Sequence, residues 1–81
     1  MPRIRRQNLP PALLNHLLDR IQSRRISADQ LGLLADWLDT QPEVCIGKWF
    51  KRFPGMTVCG EGELVKTFLL PGQAAEGQEI A

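Results

Sequence analysis

Leu13, Leu14, Leu17, Leu18 and Ile21 recur at the spacing of one helical face, in a segment opened by Pro10 and Pro11. Proline is tolerated in the first turn of a helix, so the pattern predicts a helix from about Pro10 to about Arg24. A second helical pattern follows at once. Ser27 and Gln30 have the spacing of a capping box, and Ile26 and Leu31 take the positions of a hydrophobic staple. Leu31, Leu34, Trp37 and Leu38 then form an apolar stripe, with Asp29, Asp36 and Asp39 on the opposite face, which predicts a helix over about 28–40. Two helices joined by so few residues are expected as an antiparallel pair, and their apolar stripes need a third element to cover them.

The C-terminal half supplies that cover. KWFKRFPGMTVCGEGELVKTFLL, from Lys48, is rich in aromatic and β-branched residues and is broken by Pro54-Gly55 and Gly60-Glu61-Gly62. It reads as three short antiparallel strands, about 48–53, 56–59 and 64–70. A second reading stays open: Ile46, Trp49, Phe50 and Phe53 also fit helical spacing, with Thr40 and Glu43 as a capping box. The expected fold class is therefore α+β, two N-terminal antiparallel helices followed by a short antiparallel β meander or hairpin. The alternative is three helices plus a hairpin, resembling a winged helix. Residues 1–9 read as a basic N-terminal arm, 10–70 as a single small domain, and 71–81 as a flexible C-terminal tail.

Length sharpens this picture. A chain of 81 residues hides only about 60–65% of its unfolded surface, so any active site is a shallow surface cleft. Cys45 and Cys59 are too few for a disulfide scaffold and lack CxxC spacing, which points to free thiols in a reducing cytoplasm. No apolar run approaches the roughly 20 residues of a membrane span, and no signal-peptide core follows the basic start. Neither a cofactor nor a metal is expected: Cys45, Cys59 and His16 fall short of the four ligands of structural zinc, and Asp29, Asp36 and Asp39 are spread over about three helical turns.

The net charge of +1 conceals a segregation of charge. Met1–Arg25 holds six arginines against Asp19 alone, and Ile26–Gly47 holds four acids and no basic residue. Lys48, Lys51, Arg52 and Lys66 make the following stretch basic again. One basic and one acidic face are expected, the first suited to phosphate and the second to a basic partner or to solvent. Arg3, Arg5, Arg6, Arg24, Lys48, Lys51 and Arg52 are the candidate nucleic-acid contacts. An ordinary reading stands beside each motif: His16 as a solvent-facing side chain paired with Asp19 or Arg20, the arm as a loose tail, and Trp37, Trp49, Phe50 and Phe53 as core.

HLLDRIQSRRIS, His16–Ser27, followed by ADQL, places a histidine, an arginine one turn later, another two turns later, and then Ile-Ser at the start of a second helix. This register resembles the opening of small bacterial domains of the RelE and colicin D-like ribonuclease superfamily, and Lys66-Thr67 in ELVKTFLL is similar to the basic residue or threonine of that family's last strand. The second helix is a turn longer here, and three strands are placed where four are usual. The resemblance implies metal-independent RNA cleavage of the toxin type, with His16, Arg20 and Lys66 as catalytic residues and an antitoxin as a possible protein partner. The chemistry requires a general base for the ribose 2′-OH, an acid for the leaving oxygen and cations for the developing charge. Two other functions fit the sequence, a non-catalytic nucleic-acid-binding module and a protein-interaction adaptor docking through its acidic helix.

Overall fold

The computed structural model of the protein describes residues 3–5 and 9–80. The chain folds into α1 (Pro11–Ser23), α2 (Ala28–Asp39), β1 (Lys48–Phe53), β2 (Met56–Glu61), β3 (Leu64–Leu69) and β4 (Gln78–Glu79). The class is α+β. The four strands form one sheet in the order β3-β2-β1-β4, antiparallel from β1 through β3, with β4 parallel to β1.

Local chemistry explains the helix boundaries. Pro11 sits where its missing N–H costs nothing. At the other end Arg25 adopts a left-handed φ of 51°, Ile26 N bonds Ile21 O at 3.0 Å, and Arg25 N bonds Gln22 O at 3.3 Å. These are the two bonds of a Schellman stop, built without its usual glycine. Ser27 caps α2 by accepting from Gln30 N at 3.3 Å. Only this half of the predicted capping box forms. The Gln30 carboxamide turns away and accepts from Gly55 N at 2.8 Å, so it satisfies the β1–β2 turn instead.

The helical alternative for residues 46–53 is overturned. Lys48–Phe53 is a strand, paired from Lys48↔Glu61 to Phe53↔Met56. Its aromatic residues divide between the two sheet faces as alternation requires. Trp49 faces the helices, fully buried with Met56, Val58, Val65 and Phe68, and Leu17, Ile26, Leu34 and Val44 complete that core. Its indole N–H donates to Gly62 O at 2.9 Å. Gly60 lies directly beneath the ring: a Cβ there would stand 2.2 Å from Trp49 Cζ2. Phe50, with Thr57, is buried on the other face.

The helices do not form the closely packed pair that the sequence suggests. The main contacts of α1 are with β3 and those of α2 with β1. Leu13, Leu17 and Ile21 reach the core, while Leu14 and Leu18 stay 46% and 51% exposed on an edge of α1 that no described element covers. Asp29, Asp36 and Asp39 are exposed on α2.

Residues 3–5 and 70–80 make contacts with the rest of the fold. Arg3 bridges to Glu43, and Arg5 N donates to Glu63 O at 2.7 Å. Arg6 lies outside the described residues. At the other end, residues 70–77 leave β3 and cross the sheet face turned away from the helices to reach β4 beyond β1. The crossing spans three interstrand spacings, roughly 14 Å. Eight extended residues reach about 26 Å, so no crossover helix is needed. Ile80 N closes the element on Phe50 O at 2.8 Å. The segment covers Phe50 and Thr57, and that apolar burial holds a sequence too polar and glycine-rich to announce a strand. No helix among the described residues is long and apolar enough to cross a membrane.

Candidate functional site

His16, Arg20 and Arg24 recur every four residues, which sets them in one row along α1 and its C-cap, Arg24. The row lies against the outer edge of the sheet. His16 is half-buried, and its Nε2 stands 3.4 Å from Thr67 Oγ1 on β3, so it is not the solvent-facing histidine that its angle to the leucine stripe suggests. The sheet edge folds around the helix flank and supplies the contact. One turn on, Arg20 Nη1 lies 3.9 Å from Asp19 Oδ2, a long contact to an exposed neighbour. A further turn on, Arg24 Nη1 donates to Gln73 Oε1, which also accepts from Leu70 N at 2.7 Å. The Nε atoms of Arg20 and Arg24 are buried without a hydrogen-bond partner. The row therefore sets an imidazole against β3 and the Arg24 guanidinium against Gln73, with Arg20 between them beside Asp19.

β3 contributes an irregularity at this point. Cys59 pairs with Thr67 and Gly60 with Val65, which leaves Lys66 as the extra residue of a β-bulge. Bulges re-aim side chains, and here Lys66 and Thr67 line the same cleft, which strict alternation would prevent. That cleft, about 340 Å³, opens on the sheet face away from the helices beneath Ala74–Glu76. Thr67 thus stands between His16 on one side and the Lys66-lined cleft on the other. On the cleft floor, burial pushes the Cys59 thiol above its ordinary value.

The remaining basic residues are engaged elsewhere. Arg3 Nη1 donates to Gln41 Oε1 at 2.6 Å and its Nη2 lies 3.9 Å from Glu43 Oε1. Arg5 pairs with Glu63 at 3.4 Å and Lys48 with Glu76 at 3.1 Å. Lys51 Nζ lies 5.9 Å and 6.0 Å from the ring centroids of Trp37 and Phe53, and Arg52 lies 5.5 Å from that of Phe50. The structure does not gather these residues into one surface with the α1 row. Among the described residues no group of three or more His, Cys, Asp and Glu is placed to hold a metal ion.

Sequence reasoning missed Gln73, Glu61 and Glu76, whose polar surroundings carry no periodicity to mark them. Thr67 was visible only through the resemblance. No family model, curated protein or solved structure matches the chain.

Proposed function

We propose that the chain binds RNA along the α1–β3 edge and cleaves it by attack of the ribose 2′-OH on the adjacent phosphate. The observation that carries this reading is the contact between His16 and Thr67, which holds an imidazole beside the Lys66 bulge while Arg20 and Arg24 extend the cationic row. In this scheme neutral His16 accepts the 2′-OH proton as the new O–P bond forms. The P–O bond to the 5′ oxygen breaks, and that oxygen takes a proton from the Lys66 ammonium, leaving a 2′,3′-cyclic phosphate. Arg20 meets the phosphate, whose charge grows in the transition state, through its planar donors. Thr67 fixes the orientation of the ring.

The test is incubation of the full chain with an end-labelled RNA in the presence of a chelator, with product ends identified by mass. Cleavage to 2′,3′-cyclic phosphate ends is expected, reduced roughly 10²–10⁴-fold by His16→Ala. An H16A protein that cuts as fast as the parent overturns the reading.

One observation favours a protein partner as well. Leu14 and Leu18, exposed one turn apart on the flank of α1 opposite His16 and Arg20, are apolar surface that an antitoxin-type protein would cover.

A further inference from the structure

Beyond Thr67 the cleft continues over the open sheet face to Lys48, and its chemistry differs from that of the α1 row. Lys48, Glu61, Lys66 and Glu76 bring two positive and two negative charges to its walls. Lys48 and Glu76 satisfy each other at 3.1 Å. Glu61 and Lys66 remain, neither in an ion pair among the described residues. Glu61 pairs with Leu64 across the β2–β3 ladder, and Lys66 stands two residues further along that strand, at the bulge. Two opposite charges thus face one cleft without meeting each other. The rest of the lining is uncharged: Cys59, its thiol kept neutral by burial, below, and Leu69, Ala74 and Ala75 around it.

A purely anionic ligand in this space would face Glu61 and Glu76, and a purely cationic one would face Lys48 and Lys66. The arrangement suits a ligand that carries both charges on neighbouring atoms together with a short apolar body. A volume of about 340 Å³ suits a small molecule. We propose that this cleft binds a free α-amino acid with an aliphatic side chain, its carboxylate on Lys66, its ammonium on Glu61, and its side chain against Leu69, Ala74 and Ala75. Lys66 is shared with the proposed cleavage chemistry, whereas Glu61 and the Ala74–Glu76 segment take no part in it, so Glu61 separates the two readings.

The experiment is a heteronuclear NMR titration of the isotope-labelled full chain with L-leucine, with 4-methylpentanoate, which lacks the ammonium, and with isoamylamine, which lacks the carboxylate. Saturable shifts are expected for leucine at the amides of Glu61, Lys66, Ala74 and Ala75, with each half-ligand binding about tenfold more weakly or worse. Glu61→Gln and Lys66→Met, each checked for a native-like spectrum, should both weaken leucine binding by about tenfold. E61Q should leave any RNA cleavage at the parental rate, which separates this site from the α1 row. Absence of saturation with leucine, equal binding of all three compounds, or parental affinity in both variants overturns the proposal.

Discussion

His16 Nε2 on α1 and Thr67 Oγ1 on β3, separated by fifty-one positions in sequence, lie 3.4 Å apart in the fold. The contact joins the residue that opens the α1 basic row to the neighbour of the bulged Lys66. If Thr67 orients the imidazole, Thr67→Val should lower RNA cleavage by about tenfold while His16→Ala lowers it much further, and adding T67V to H16A should cost nothing more. Single-turnover rates of the four proteins test this. Equal additional loss in the double variant would show that Thr67 acts apart from His16.

Gly60 and Gly32 respond oppositely to the same change. A methyl group at Gly60 would meet Trp49 Cζ2 at 2.2 Å and Leu64 O at 2.6 Å, so Gly60→Ala should cost at least about 1–3 kcal/mol. At Gly32, within α2, nothing lies within 4 Å, and Gly32→Ala should stabilise by about 0.5–1 kcal/mol. Urea denaturation of both variants measures the two signs.

The half-formed capping box makes a quantitative prediction. Ser27→Ala should cost about 1 kcal/mol through the lost cap. Gln30→Ala should cost about 1 kcal/mol through the Gly55 N–H left without its acceptor. Since the two side chains serve different donors, the double variant should be additive to within about 0.5 kcal/mol. A reciprocal box would instead show clear coupling in the same cycle.

Arg25 holds a left-handed φ of 51° at the stop of α1. Arg25→Gly should therefore stabilise the fold by about 0.5–1 kcal/mol, since glycine adopts this conformation without steric penalty. A fall in the thermal midpoint would mean that the Arg25 side chain contributes more than its strained backbone costs.

Cys59 gives the pH dependence. Its thiol is raised above the ordinary value of 9.0 by burial, so above that pH the unfolded chain loses a proton that the folded chain keeps. Stability should be unaffected by this group below the ordinary thiol value and should fall as pH climbs from there through the folded value. Cys59→Ala should remove that part of the slope in chemical denaturation between neutral and alkaline pH.

Most of the local structure was legible along the chain. Periodicity located both helices because one-sided burial of leucine writes itself at 3.6-residue spacing, and Ser27 marked the start of α2 because a cap is a contact within four residues. Pro54-Gly55 and Gly60-Glu61-Gly62 marked the two hairpins for the same reason, although Gly60 and Glu61 belong to β2 and the second turn is at Gly62-Glu63. The end of α1 was visible only from the α2 side, since arginine stands where a glycine would have signalled the stop.

What the sequence determined by itself, then, is everything whose partners lie within a few residues: two amphipathic helices, a C-terminal hairpin, and a row of His16, Arg20 and Arg24 along one helix and its cap, while 46–53 stayed open between strand and helix until its pairing with β2 settled it. Only the tertiary structure decided that Trp49 and Phe50 belong to opposite sheet faces, that the Gln30 carboxamide serves a turn rather than its own helix, and that the polar segment 70–77 roofs the sheet on its way to β4. It also decided what the basic residues face: Arg3, Arg5 and Lys48 meet carboxylates, Lys51 and Arg52 meet aromatic rings, and His16 meets Thr67. The physical reason is that a helix row or a strand alternation specifies the side of an element on which a group lies, whereas its partner is supplied by long-range packing that buries apolar surface wherever the whole chain can close over it.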